Sequence, residues 1–191
     1  LNQYIINPRK DICNFELACS YFDIQQYASA ISYYLRCAEL SKNEDLVYES
    51  LLCSWDCMAQ GGGRPAFERG QILQAIAHSP NRPEAYNAIC LWLEFCGNIR
   101  IPSNEEKYHM MYSYACMGLS NIDNNKKLKY YNGYFAFIYY KALSGWYIGK
   151  KKESEDLFLE LHNNPSNNLD KRYKDLINQN MINLGLLVYE K

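Results

Sequence analysis

The sequence lacks the features that mark several common classes of protein. Its net charge is −1 over 191 residues, so there is no overall field to attract nucleic acid or an anionic membrane. It contains no run of 18 apolar residues, which is about the length that a membrane-spanning helix needs, and no secretory signal peptide is visible. We therefore predict an intracellular, cytoplasmic protein without nucleic-acid or membrane partners.

Motifs for metal binding, cofactor binding and catalysis are also missing. Cys53 and Cys57 lie one helical turn apart and form a possible half of a metal site, but none of the three histidines is close to them in sequence. The stretch 61–65, GGGRP, lacks the lysine and the serine or threonine of a phosphate-binding loop. The eight cysteines include no CxxC pair and most sit in apolar helical patterns, as reduced core thiols do. We predict no catalytic residue, no metal and no cofactor.

Helical periodicity and aromatic residues are abundant instead. The 18 tyrosines suit half-buried positions between helices, where the ring packs and the hydroxyl group reaches water. Apolar residues recur at spacings of three and four, which indicates an all-α fold. The predicted helices are Asp11–Phe22, Tyr27–Leu40, Asp45–Gln60, Ala66–His78, Arg82–Phe95, Glu105–Leu119, a long helix from near Lys127, Lys151–Asn163 and Leu169–Tyr189.

One stretch, 14–41, carries an internal repeat signal. Small and aromatic residues occur there at the offsets of a roughly 34-residue unit made of two helices. They are Ala18, Tyr21, Tyr27, Ala30, Tyr34 and Cys37. This pattern resembles the tetratricopeptide repeat, although Gln25 stands where that repeat has a turn glycine and Lys42 where it has a closing proline. The resemblance implies an α-solenoid of antiparallel helix pairs, with about 8–10 helices.

The repeat period divides the chain into units within a single helical-repeat domain, 1–191. The units are predicted near 11–44, 45–82, 83–134 and 135–168, followed by a C-terminal helix, 169–191. Gly97 and Gly149 occupy the turn positions of the third and fourth units, and a loop, 98–104, is expected after Gly97. The third unit carries an insertion, and the glycine-rich stretch lengthens the second.

Several strings within residues 7–96 resemble a more specific group of proteins. They are SYYLRCAEL at 32–40, LVYESLL at 46–52, QAI at 74–76 and SPNRPEAY at 79–86. Together they are similar to helical-repeat regions attached to glycosyltransferase-like proteins of large viruses, phages and some bacteria. The resemblance implies a parent protein that transfers sugars, and a viral protein in the host cytoplasm is one form that this could take.

The glycosyltransferase chemistry itself is not expected in this chain. No Asp-x-Asp pair is available to hold the divalent cation of a sugar nucleotide, and no alternation of strand and helix patterns is visible. The chain begins at Leu1 rather than at methionine. We therefore expect a piece of a longer protein, with any catalysis in another part of it.

In a tetratricopeptide array the first helix of each unit lines the concave groove, and this implies a set of candidate binding residues. They are Phe15, Cys19, Phe22, Glu49, Cys53, Asp56, Asn87, Leu91, Glu94, Tyr139, Leu143 and Trp146. The middle of this set is acidic and its ends are aromatic. It would suit a partner peptide with basic residues between apolar anchors, or a sugar chain stacked on the rings. The alternative is that the aromatic side chains only pack against neighbouring helices.

A second candidate is a polar cluster of Arg36, Arg64, Arg82 and Glu84, within or close to the strings quoted above. Its guanidinium groups would bind an acidic ligand; alternatively, these residues form ion pairs between adjacent units.

The function predicted from all these features is a non-catalytic module for protein–protein interaction. Two alternatives are a glycan- or peptide-binding lobe of a glycosyltransferase and a structural component of a virion or another assembly.

Overall fold

The computed structural model describes residues 2–62, 65–100, 103–122, 133–164 and 171–187. Within these ranges the regular secondary structure consists of ten α-helices without a strand, which confirms the all-α prediction. No helix among the described residues is long and apolar enough to cross a membrane. The chain divides into two compact units, unit 1 (Leu1–Asn81) and unit 2 (Arg82–Lys191).

Unit 1 contains five helices joined by short connections. They are α1 (Asn2–Ile6), α2 (Asp11–Asp23), α3 (Tyr27–Leu40), α4 (Glu44–Gln60) and α5 (Pro65–His78). Each helix packs against the next one in the chain, as short connections between helices favour. The side chain of Asn43 accepts hydrogen bonds from the backbone N–H groups of Asp45 and Leu46, and it thereby caps the start of α4.

The core of unit 1 combines large aromatic and aliphatic side chains with small ones. Tyr48 and Ile72 are fully buried. The small side chains of Ala18, Ala30 and Cys37 are also fully buried, and they allow α2 and α3 to pack closely. These three positions belong to the repeat signal, so the small residues of that pattern do occupy the core.

Unit 2 contains the other five helices: α6 (Glu84–Arg100), α7 (Asn104–Ser120), α8 (Tyr134–Tyr147), α9 (Lys151–Asn163) and α10 (Lys171–Asn183). Helices α6 to α9 pack against their neighbours in the chain, α10 packs against α9, and α8 also contacts both α6 and α10. Helix α8 is the centre of this unit, since Phe137, Tyr139 and Tyr140 are all fully buried.

Glycines allow the closest helix contacts in unit 2. A Cβ atom on Gly118 of α7 would overlap Cε1 of the Phe137 ring on α8. A Cβ atom on Gly145 of α8 would lie 2.6 Å from Oγ of Ser154 on α9. Both glycines therefore provide space for a neighbouring helix.

The same connection joins α2 to α3 in unit 1 and α8 to α9 in unit 2. Each connection has three residues, and its second residue is left-handed: Gln25 with φ of 60° and Gly149 with φ of 87°. The backbone N–H of Gln26 donates to the carbonyl oxygen of Tyr21 at 2.8 Å, and that of Lys150 donates to Gly145 at 2.8 Å. This is the Schellman arrangement for ending a helix, and it occurs at the predicted turn positions.

Most predicted helix boundaries differ from the observed ones by a residue or two, but three predictions were wrong. Helix α6 continues through Gly97 to Arg100, so no turn forms at Gly97 and the loop is shorter than predicted. A glycine inside a helix costs about 1 kcal/mol relative to alanine, which packing can offset. The glycine alone was therefore an ambiguous signal.

The other two errors concern the ends of helices in unit 2. The long helix from near Lys127 is ruled out because α8 begins at Tyr134, directly after Gly133, whose φ of 73° and ψ of −158° are not helical. Lys127 itself lies outside the described residues. The C-terminal helix ends at Asn183, where Gly185 has φ of 73° and the N–H of Leu186 donates to the carbonyl oxygen of Met181. The predicted limits of that helix, Leu169 and Tyr189, also lie outside the described residues.

Candidate functional site

The three predicted groove residues of α2 form a half-buried apolar strip in unit 1. Phe15 packs edge-on against Tyr34, with 5.4 Å between the ring centroids, and Phe22 packs edge-on against Tyr27 at 5.8 Å. Between them, Cys19 accepts a hydrogen bond from the hydroxyl group of Tyr34 at 3.4 Å. The two aromatic partners lie on α3, so α3 fixes the orientation of the strip.

Two of the three predicted groove residues of α4, Glu49 and Asp56, are acidic, and Asp56 is linked to this strip through Tyr27 and Gln60. The hydroxyl group of Tyr27 donates to Oε1 of Gln60 at 3.1 Å, and Nε2 of Gln60 donates to Oδ1 of Asp56 at 3.0 Å. This chain of contacts connects Phe22 with Asp56. Glu49 and Asp56 are half-buried and Cys53 is buried.

Burial makes the thiol of Cys57 unreactive. It raises the pKa of the Cys57 thiol to about 12, with smaller contributions from Asp56, Cys53 and Cys19. The pKa of the Tyr34 hydroxyl group is also raised, mainly by burial and then by its hydrogen bond to Cys19. A thiol with a raised pKa is a weak nucleophile and a weak metal ligand. Among the described residues, no group of three or more His, Cys, Asp or Glu side chains could hold a metal ion.

Unit 2 brings two predicted groove residues, Glu94 and Tyr139, into direct contact. The hydroxyl group of Tyr139 donates to Oε1 of Glu94 at 2.6 Å, and Nδ2 of Asn180 donates to the same hydroxyl oxygen at 3.3 Å. One hydroxyl group thus connects α6, α8 and α10. Beside it, the hydroxyl groups of Tyr140 and Tyr173 lie 2.8 Å apart and share a buried hydrogen bond.

The sequence did not identify Asn180 and Tyr173 as part of this site. Both residues lie on the predicted C-terminal helix, which follows the four units, so the repeat register gives them no groove position. A possible signal was the spacing of Tyr173, Ile177 and Met181, because all three are buried and mark the inward face of α10.

The remaining predicted groove residues of unit 2 differ in their exposure. Asn87 and Leu143 are buried, whereas Leu91 and Trp146 are half-buried. Nζ of Lys151 lies 5.6 Å from the centroid of the Trp146 ring, within the range of a cation–π interaction. Trp146 therefore has a polar neighbour that the sequence did not predict.

A buried cation that the sequence also missed lies at the start of α7. Lys107 is 6% exposed, and burial lowers the pKa of its amino group, whereas the negative charge of Glu94 opposes that shift. Next to it, the rings of Tyr108 and Tyr147 stack 4.1 Å apart. Tyr147 is 51% exposed, so this stacked pair presents an aromatic surface to solvent.

The predicted polar cluster is observed only in part. Arg82 and Glu84 form an ion pair at 2.8 Å, and Glu84 is buried. Arg82 therefore compensates a buried carboxylate that lies two residues away in the sequence. Arg36 is exposed on α3 of unit 1, and Arg64 lies outside the described residues.

A second polar network in unit 2 connects α7, α8 and α9. Glu153 accepts hydrogen bonds from the Tyr112 hydroxyl group at 3.0 Å and forms an ion pair with Lys141 at 2.7 Å. Lys150 donates to the same tyrosine oxygen at 2.9 Å, and its Nζ lies 4.2 Å from the ring centroid. Every strong donor and acceptor in this network has a partner inside the unit, which indicates a structural role.

Comparisons with protein-family models, curated proteins and solved structures give no significant match for this chain. The geometry is therefore the main guide to function. In each unit it combines half-buried aromatic rings with carboxylate, amide and hydroxyl groups. Such surfaces can bind a peptide or a sugar through ring contacts and hydrogen bonds.

Proposed function

We propose that this chain is a non-catalytic, tetratricopeptide-like α-solenoid module that binds a peptide segment of a partner protein. The observation that carries the proposal is the repetition of one helix–turn–helix unit. The α2–α3 and α8–α9 pairs share a three-residue connection with a left-handed second residue. Such repetition is typical of solenoid proteins, whose surfaces commonly bind extended partners.

Burial supports the same alignment of the two helix pairs. Counting from the left-handed residue, Ala18 corresponds to Ala142 and Tyr34 to Phe158, and all four side chains are buried. The contacts of α8 with α6 and α10 also favour a solenoid, because alternate helices lie side by side in such arrays.

A glycosyltransferase-like parent protein remains part of the proposal, and it rests on the four sequence strings alone. The exposed ring of Tyr147, stacked on the half-buried Tyr108, supports a second candidate, the glycan-binding lobe, because an aromatic ring suits the apolar face of a sugar.

Selection from a library of displayed random peptides, followed by titration of the selected peptides, tests the proposal. We expect one peptide family to bind saturably and to lose affinity when Phe22 is replaced by serine. The matched control is Phe95→Ser, which changes a 52% exposed ring in unit 2. A glycan array that binds the chain, together with a peptide selection that yields no family, would instead favour the glycan-binding lobe. Transfer of a sugar from a nucleotide sugar by this chain would refute the non-catalytic assignment.

A further inference from the structure

Charge is distributed unevenly between the helices of unit 1. Helix α2 carries Asp11, Glu16 and Asp23 and no basic residue, and α4 carries Glu44, Asp45, Glu49 and Asp56 and no basic residue. In α3 and α5, by contrast, acidic and basic residues both occur. The two helices that supply the predicted groove residues of unit 1 are therefore purely acidic.

Asp56 is linked to an apolar surface of α2 that is only partly covered, and Glu49 lies about two helical turns before Asp56 on the same side of α4. Phe15, Cys19 and Phe22 are half-buried. The contacts from Phe22 through Tyr27 and Gln60 to Asp56 connect this apolar surface with the acidic side chain of Asp56. We call this surface, formed by Phe15, Cys19, Phe22, Glu49 and Asp56, the α2–α4 face.

Among the described residues, no basic side chain forms an ion pair with Glu49 or Asp56. Within the part of the chain that the structure describes, Asp56 accepts a hydrogen bond from the side-chain amide of Gln60 at one of its two oxygens. Both side chains are half-buried, and a partly desolvated carboxylate gains more from an incoming cation than a fully exposed one does.

We infer that the α2–α4 face of unit 1 binds a basic, amphipathic peptide segment of a partner protein. Apolar side chains of that segment pack on Phe15 and Phe22, and its lysine or arginine side chains approach Glu49 and Asp56. The aliphatic stems of lysine and arginine can cover the rings while their charged ends reach the carboxylates. This inference rests on the proposed interaction function and specifies the chemistry of its partner.

Fluorescence anisotropy with the full chain and two synthetic peptides tests this inference. One labelled peptide has leucine and lysine at helical spacing, and the other has glutamate in place of every lysine. We expect the lysine peptide to bind at least about tenfold more tightly, which corresponds to about 1.4 kcal/mol. We also expect added salt to weaken its binding, because salt screens charge pairs.

Substitutions locate the binding surface. The double variant Glu49→Gln/Asp56→Asn should weaken binding of the lysine peptide about tenfold, whereas the control Glu39→Gln/Glu160→Gln should leave it within about twofold. The control removes the same charge from two exposed positions on α3 and α9. An unchanged far-ultraviolet circular dichroism spectrum and unfolding temperature would show that each variant is folded.

The outcomes separate this inference from the proposed function. Equal loss of affinity in the two double variants would reduce the effect to net charge and overturn the inference, as would equal binding of the lysine and glutamate peptides. If neither synthetic peptide binds but the displayed library yields a binding family, the inference fails and the interaction module stands. If no peptide binds in either experiment, both fail.

Discussion

Replacing Gln25 with glycine should stabilise the protein, although glycine usually destabilises. Gln25 is exposed and has φ of 60°, a conformation that costs a residue with a Cβ atom roughly 1–2 kcal/mol. Glycine avoids this cost but loses more backbone entropy on folding, by roughly 0.5–1 kcal/mol. The net stabilisation is therefore roughly 0–1.5 kcal/mol, or an increase of roughly 0–6 °C in the unfolding temperature.

Thermal unfolding followed by circular dichroism, together with urea titration, measures this effect. The neighbouring variant Gln26→Gly is a matched control, because Gln26 has φ of −85° and gains nothing from glycine. We expect it to lower the unfolding temperature while Gln25→Gly raises it. The hydrogen bonds that end α2 involve backbone atoms only, so glycine preserves them.

A reciprocal pair of substitutions tests the same reasoning in unit 2 and unit 1. A Cβ atom meets no atom within 4 Å at Gly149 or at Gly70, so contacts play no part in either change. Gly149→Ala should destabilise by about 1 kcal/mol because φ is 87° there. Gly70→Ala, within α5, should stabilise by about 0.5–1 kcal/mol. If Gln25→Gly lowers the unfolding temperature, or if both alanine variants shift it in the same direction, the backbone argument is refuted.

Three further predictions concern unit 2. Gly118→Ala should destabilise by about 1–3 kcal/mol in urea titration, because its Cβ atom would overlap Phe137; equal effects of Gly118→Ala and Gly70→Ala would contradict this. Tyr139→Phe should cost about 1–3 kcal/mol, because Glu94 loses the hydroxyl donor, while Tyr134→Phe at a 43% exposed ring should stay within about 0.5 kcal/mol. Hydrogen bonds from Lys141 and Tyr112 lower the pKa of Glu153 below its ordinary value of 4.5. The ionised Glu153 side chain therefore stabilises the fold above pH 4.5, and this stabilisation is lost as the pH falls through the lowered pKa. The difference in urea midpoint between the wild type and Glu153→Gln should therefore shrink from pH 7 to pH 3, and a constant difference would argue against the assigned contacts.

Local patterns predicted the helices of this chain well, but glycine signals were less informative. Gln25 was assigned to a turn from the repeat offsets and does adopt a left-handed conformation. Gly97 was assigned in the same way and lies inside α6. The difference arises because a helix ends in this way only where backbone N–H groups after the turn bond to carbonyl groups in the last helical turn. The identity of a single residue does not show whether those hydrogen bonds form.

The candidate site was predictable as far as one helix face. The spacing of Phe15, Cys19 and Phe22 places them on one face of α2, and all three side chains are half-buried there. The contact between Glu94 and Tyr139 joins residues far apart in sequence. Asn180 could not be predicted because its role depends on how α10 packs against α8.

The sequence by itself determined the all-α fold, the positions of most helices and the small residues buried between α2 and α3. These features follow from local periodicity and from side-chain size, and both are properties of short segments. Only the tertiary structure decided which polar groups meet: Tyr139 with Glu94, Tyr27 with Gln60, and Glu153 with Lys141. Such pairs depend on the packing of whole helices, because hydrogen bonds require partners within about 3.5 Å.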